Sequence, residues 1–229
     1  MKPRDLALVL ARQLKAEGNP LRIRGAQAYM KTSDPFFGVD ANTMRRNVKA
    51  LAKEHPPKDQ AEYLAQIEAL WSLPQREAHY AAVEWAKLFP AFLTLDALPL
   101  FERMIREGAW WDTVDEIARF LVGALLLKER AVLKPAMERW IRDGDLWIRR
   151  AALVAHQKHR DRTDEAQLFD HCLRLAHEKD FFIRKAIGWA LREHSKTRPD
   201  AVEAFIATHG GALSGLSIRE GLKRIAATR

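Results

Sequence analysis

The segment Asp145-Leu-Trp-Ile-Arg-Arg-Ala-Ala can be laid over Asp180-Phe-Phe-Ile-Arg-Lys-Ala-Ile with an offset of 35 residues. Aspartate, aromatic, Ile-Arg-basic-Ala recur in register. Each aspartate stands where a side-chain oxygen would satisfy the first free amides of a helix, and each copy then runs helically, to His159 and to His194. Stepping by the same interval toward the N-terminus lands on helix starts near Trp110, Gln75 and Asp40, with one further helical segment between successive starts. A repeat of this length built from two helices is the signature of a helical solenoid, in which each pair buries its apolar faces against the next. One helix of every pair then lines a concave face. Arg150 marks a phase on that helix, and the same phase holds Arg45, Tyr80, Asp115 and Lys185, polar or amphipathic in every copy.

Nothing elsewhere in the chain competes with helix. Glycine and proline are scarce, 11 and 10 of 229 residues. Apolar residues recur at three- and four-residue spacing, as in Leu64, Ile67, Leu70, Trp71 and in Leu98, Phe101, Met104, Ile105. Breaks fall at Pro56-Pro57, Leu73-Pro74, Phe89-Pro90, Gly144, Arg198-Pro199 and Gly210-Gly211, as short connections between neighbouring helices require. We therefore expect one continuous all-α repeat domain over residues 1–229.

Lys and Arg total 38 against 30 Asp and Glu, a net charge of +8. Nucleic acid and anionic membrane are the acidic partners this admits, and the repeat favours a nucleic-acid backbone following its inner face. The single cysteine, Cys172, forms no intramolecular disulfide and reads as a small buried filler. No apolar run approaches the ~20 residues of a membrane span, and no secretory signal is visible, so a soluble cytoplasmic protein is expected.

Basic residues crowd the C-terminal half: Arg149, Arg150, Lys158, Arg160, Arg162, Arg184, Lys185, Arg192, Lys196 and Arg198. Singly each reads as a solvated charge; at repeat spacing they read as a patch for phosphates. Seven tryptophans are many for this length. Trp71, Trp85 and Trp140 fit apolar stripes. Trp110 and Trp111 are adjacent and point about 100° apart on a helix, so they cannot share one core, and one is expected to be exposed. Asp115 follows Trp111 by one turn, which sets a carboxylate beside an indole and admits a site for a cation. A helix-terminal carboxylate is the competing reading, and Asp112 suits that role better. Glycine-rich phosphate loops, HExxH and GxSxG are absent. His156 and His159 lie one turn apart, but without a third ligand they read as surface histidines.

The segments Trp110-Trp111-Asp112-Thr113-Val114-Asp115, Leu146-Trp147-Ile148-Arg149-Arg150-Ala151-Ala152 and Phe181-Phe182-Ile183-Arg184-Lys185-Ala186-Ile187-Gly188-Trp189-Ala190-Leu191-Arg192-Glu193 resemble the AlkD family of DNA alkylation repair glycosylases. Tyr29-Met30-Lys31, Phe36-Phe37-Gly38-Val39 and Leu70-Trp71-Ser72-Leu73-Pro74-Gln75-Arg76-Glu77 are similar to that family's N-terminal motifs. The likeness thus covers nearly the whole chain.

This resemblance implies a right-handed superhelical solenoid of HEAT-like repeats that binds duplex DNA on its concave face. It also implies removal of positively charged N3- and N7-alkylated purines, such as 3-methyladenine and 7-methylguanine, at the start of base excision repair. By motif, Asp115, Trp111 and Trp189 match the catalytic cleft residues, and Arg150 matches an arginine on the DNA backbone near the lesion. Tyr29, Lys158 and Arg192 match further DNA-facing positions, and Lys185 joins them through the marker phase. A cationic purine is already a good leaving group, so the resemblance implies a monofunctional hydrolase that needs no metal, cofactor or catalytic lysine and acts as a monomer near the nucleoid. The alternative is a DNA-binding repeat protein without chemistry, since related solenoids lacking these cleft residues bind DNA without excising bases.

Overall fold

A computed structural model describes residues 1–227; among them every regular element is helical and no strand occurs. The chain divides into two compact units, Met1–Leu100 and Phe101–Arg229. No helix is long and apolar enough to cross a membrane among the described residues.

The first unit holds α1 (Pro3–Ala16), α2 (Pro20–Met30), α3 (Ala41–Glu54), α4 (Gln60–Trp71) and α5 (Arg76–Leu88). Leu6, Leu10 and Leu14 recur one turn apart on α1 and are fully buried, as are Tyr63, Ile67 and Leu70 on α4, so α1 and α4 pack stripe to stripe. α3 and α5 pack together beside them. Each such side chain contributes about 1.5–3 kcal/mol by leaving water. Where the core takes in polar atoms it satisfies them: Tyr63 donates to the Ala86 carbonyl at 3.1 Å, and Trp85 Nε1 donates to Gln66 at 3.0 Å. Glu77 on α5 is buried and accepts from the backbone amides of Phe37, Gly38 and Val39, which ties down the loop leading to α3. Gly38 sits at φ 86°, and a side chain there would meet the Asn19 carbonyl.

The second unit takes in α6 (Leu98–Gly108) from Phe101 onward, then α7 (Trp111–Ile117), α8 (Gly123–Lys128), α9 (Arg130–Trp140), α10 (Leu146–Val154), α11 (Glu165–Arg174), α12 (Phe181–His194), α13 (Pro199–His209) and α14 (Gly215–Ala227). α7 packs on α10, α10 on α12 and α12 on α14, in one row. α9, α11 and α13 fall between successive row members in sequence; α9 and α11 pack against α10, and α13 against α12 and α14.

The 35-residue interval governs these starts. The residues that cap α3, α5, α7, α10 and α12 are Asp40, Gln75, Trp110, Asp145 and Asp180. Asp145 accepts from the Trp147 amide at 2.7 Å and Asp180 from the Phe182 amide at 2.7 Å, as an N-cap carboxylate should. Gln75 and Trp110 make no side-chain cap, and at the former the free Arg76 amide is taken by the Pro35 carbonyl at 3.0 Å. α14 begins at Gly215, within one residue of the next step, so the period runs one copy further than the matching segments reveal.

Two departures from uniform helix matter locally. α7 runs into α8 through a π-helical turn, Ala118–Val122. α10 tightens into a 3-10 turn at Ala155–Lys158 before reaching His159. Row contacts are close where glycine permits: a Cβ on Gly188 of α12 would stand 2.8 Å from the Ser217 carbonyl of α14.

Candidate active site

Within the second unit a cleft of about 380 Å3 opens along the row, lined by α7 (Trp111, Asp112, Asp115, Glu116), Arg119 of the π turn, Arg150 of α10, and Phe181, Phe182, Lys185, Trp189 and Arg192 of α12. Its size is that of an ordinary small-ligand pocket. The marker phase puts Asp115 and Arg150 on adjacent row helices, 35 residues apart, and their side chains meet: Nε to Oδ1 at 2.8 Å and Nη2 to Oδ2 at 2.8 Å. The third guanidinium nitrogen, Nη1, donates to the Phe182 carbonyl at 2.6 Å. Asp115 is 5% and Arg150 3% exposed, so this is a buried, bidentate ion pair clamped across α7, α10 and α12.

Burial pushes the Asp115 carboxyl above the usual aspartate range, and the hydrogen bonds and charge of Arg150, helped by Arg119, pull it back. With a permanent positive charge on both oxygens, the carboxylate form is the one this pairing holds. Arg150 thereby uses one N–H on each of its three guanidinium nitrogens and keeps a further N–H on Nη1 and on Nη2. The pairing holds the carboxylate in place and does not bear on the DNA-backbone contact that the resemblance implies.

Trp111 and Trp189 face the same cleft from α7 and α12. The other half of the tryptophan pair, Trp110, packs instead against Trp147 at 5.8 Å and Phe182 at 5.2 Å between ring centres. Both indoles are half-buried, so neither matches a freely exposed ring. Asp112 lies in the first turn of α7, where a carboxylate suits the helix N-terminus.

The lysine and second arginine are paired. Lys185 Nζ and Arg192 Nη1 share the two oxygens of Glu220 on α14, at 2.8 and 2.9 Å, which holds the Glu220 carboxyl below its usual range. Glu220 was not foreseen, yet stepping the marker phase on from Lys185 reaches it. Lys158 lies outside the cleft lining and is exposed, its ammonium 5.1 Å from the centre of the Phe120 ring. Tyr29 belongs to the first unit, where it is 74% exposed at the edge of a separate cleft with Arg22, Phe36 and Tyr80.

A model of the DNA alkylation repair enzyme family matches residues 10–225. The chain belongs to that family. A solved structure from Enterococcus faecalis, described as a predicted DNA alkylation repair enzyme, superposes with a TM-score of 0.83 at 30% identity, over 90% of this chain and 95% of that one. No curated protein matches. Membership of the DNA alkylation repair enzymes supplies the coarse activity, and it agrees with the all-helical repeat found here.

In this DNA alkylation repair enzyme the histidines depart from expectation. His156 and His159 are 3% and 2% exposed, not on the surface. His156 stacks edgewise between His159 and His171, each ring centre 5.6 Å away, and neither of its nitrogens has a partner. The set within reach of one cation among the described residues is Glu138, Asp170 and His171, which includes neither of the foreseen pair. The basic patch is also more self-satisfied than charge alone implies. Arg149 is bidentate to Glu178 at 2.6 and 3.0 Å, and Lys196 pairs with Glu193 at 2.7 Å. Cys172 is fully buried, as expected of a filler.

Proposed function

We propose that this protein is a DNA glycosylase that hydrolyses the N-glycosidic bond of positively charged N3- and N7-alkylated purines in duplex DNA. The observation that carries the reading is the Asp115 carboxylate, buried yet lining a cleft whose walls include Trp111 and Trp189, and fixed by Arg150 through both oxygens. Alkylation at N3 or N7 leaves the base with a positive charge, so departure needs no general acid. What the protein must stabilise is the positive sugar that forms as the bond breaks.

A carboxylate held rigidly in a place of low dielectric does this without reorganising, and indole faces add attraction for the same cation. Asp115 also offers an oxygen lone pair to orient the attacking water, whose oxygen bonds to the sugar carbon as the C–N electron pair leaves with the now neutral base, the water's proton passing through the carboxylate to solvent. Lys185 is engaged by Glu220, which fits hydrolysis better than attack by an amine. The product is then free alkylpurine and an intact strand with an abasic site. Neither metal nor cofactor enters a reaction whose leaving group is already activated.

The test is incubation with a duplex containing one 7-methylguanine, followed by chromatography of released base and by alkaline cleavage at the abasic site. Free base and alkali-dependent strand cleavage in equal amounts are expected. Tight binding to abasic duplex without base release would mark a DNA-binding repeat protein without chemistry instead.

A further inference from the structure

The cations around the cleft differ in what they are already doing. Arg150 hydrogen-bonds Asp115 and the Phe182 carbonyl, and Lys185 and Arg192 both hydrogen-bond Glu220. Arg119 makes no such hydrogen bond. Its Nε is buried without an acceptor, and its ion-pair contact with Glu116, at 3.6 Å, is too long for a hydrogen bond. The guanidinium rests instead on aromatic faces, 4.9 Å from the centre of the Trp189 ring and 5.1 Å from that of Phe120. Lys158 stands 5.1 Å from the centre of the same Phe120 ring, and loss of solvent, followed by the charge of Arg119, holds its ammonium below the usual lysine range. The two cations thus share one aromatic neighbour, and neither is neutralised through a hydrogen-bonded carboxylate.

Arg119 also occupies a place the chemistry needs. In the glycosylase reading, on which this inference rests, Trp189 presents its face to a sugar that turns positive. One indole face cannot serve two cations, since the second is repelled by the first. The backbone supports a side chain that changes partners: Arg119 sits on the π turn that follows Asp115, and such turns recur at functional sites.

We propose that Arg119 is a phosphate ligand, which in the free protein rests on Trp189 and on DNA binding takes, together with Lys158, the phosphodiester beside the lesion, uncovering the indole. A guanidinium that rests on ring faces and on one ion-pair contact too long for a hydrogen bond loses little on transfer to an anion, and it gains charge-assisted hydrogen bonds.

The test uses the whole protein and a duplex carrying a single tetrahydrofuran abasic analogue, with Kd measured by fluorescence anisotropy across a range of salt. Arg119→Gln is expected to lower the slope of log Kd against log salt by about 0.9, the loss of one phosphate contact. Arg119→Lys is expected to restore most of the slope, which a merely structural role would not do. Thermal midpoints of both variants are measured alongside, so that a folding defect is recognised by parallel loss in each. An Arg119→Gln slope equal to that of the parent protein overturns the proposal, as does failure of the lysine variant to restore it in a folded protein. Base release from 7-methylguanine duplex is scored separately: a protein that loses slope on Arg119→Gln but never releases base retains the phosphate site and loses the glycosylase reading.

Discussion

Asp115 and Arg150 are each buried only because the other is. Removing one partner of such a pair leaves a charge in a place that cannot solvate it, at a cost of about 3–5 kcal/mol. Arg150→Ala is therefore expected to unfold at a visibly lower temperature and in less denaturant, whereas alanine at a solvated arginine such as Arg103 should change stability by at most ~0.5 kcal/mol. The pairing also sets a pH signature. Asp115 must be ionised to face a positive sugar, and its burial raises the pH at which it takes up a proton. Excision should consequently fall on acidification with a midpoint above the ordinary aspartate range, as read from single-turnover rates against pH in a window where the protein stays folded. Of these residue-scale facts, the company of Trp111, Asp115 and Trp189 was legible from motif and spacing. The engagement of Arg150 was not, because an arginine in a sequence carries no mark of whether a carboxylate 35 residues away will reach it.

At the scale of elements, the period was the readable quantity. Starts near residues 40, 75, 110, 145 and 180 follow from one repeated segment and the preference of aspartate for helix N-caps, and all five are found. What escaped was geometry with no signature in spacing. The π turn at Ala118–Val122 carries the same apolar periodicity as an ordinary helix, and it is this turn that bears Arg119 and Phe120. Two substitutions probe the row. Asp180→Ala removes acceptors from the Phe182 and Ile183 amides and should cost about 1 kcal/mol in denaturant unfolding. Gly188→Ala should cost more, because its new methyl meets the Glu220 Cβ at 2.5 Å and the Ser217 carbonyl at 2.8 Å, neither of them the far end of a flexible side chain. By shifting α14 it should also loosen Glu220 from Lys185 and Arg192.

For the whole molecule, many basic side chains are engaged in ion pairs within the second unit, which is why a list of basic residues overstates the surface open to phosphates, although such pairing leaves the net charge of +8 unchanged. The buried histidines add a second global property. Burial lowers the pKa of His156, His159 and His171, so the folded protein holds them neutral while the unfolded chain protonates them near 6.5. The unfolded state then binds more protons below that value, so the stabilisation is present above about 6.5 and is lost progressively as pH falls toward the depressed folded values. Equilibrium unfolding in denaturant at pH 8 and at pH 5.5 should show it, with the midpoint lower at the acidic pH. An unchanged midpoint would mean that these rings are already charged, or exposed, in the native state.

The central claim is that Asp115 stabilises the positive sugar as the alkylated base departs. It is tested most directly by single-turnover release of 7-methylguanine by the parent protein and by Asp115→Asn, with Kd for abasic duplex measured on the same preparations. A fall in rate of ~100-fold or more, with Kd changed only a few-fold, is the predicted result for removing a preorganised charge facing the transition state. Equal rates in two folded, DNA-binding proteins would contradict it.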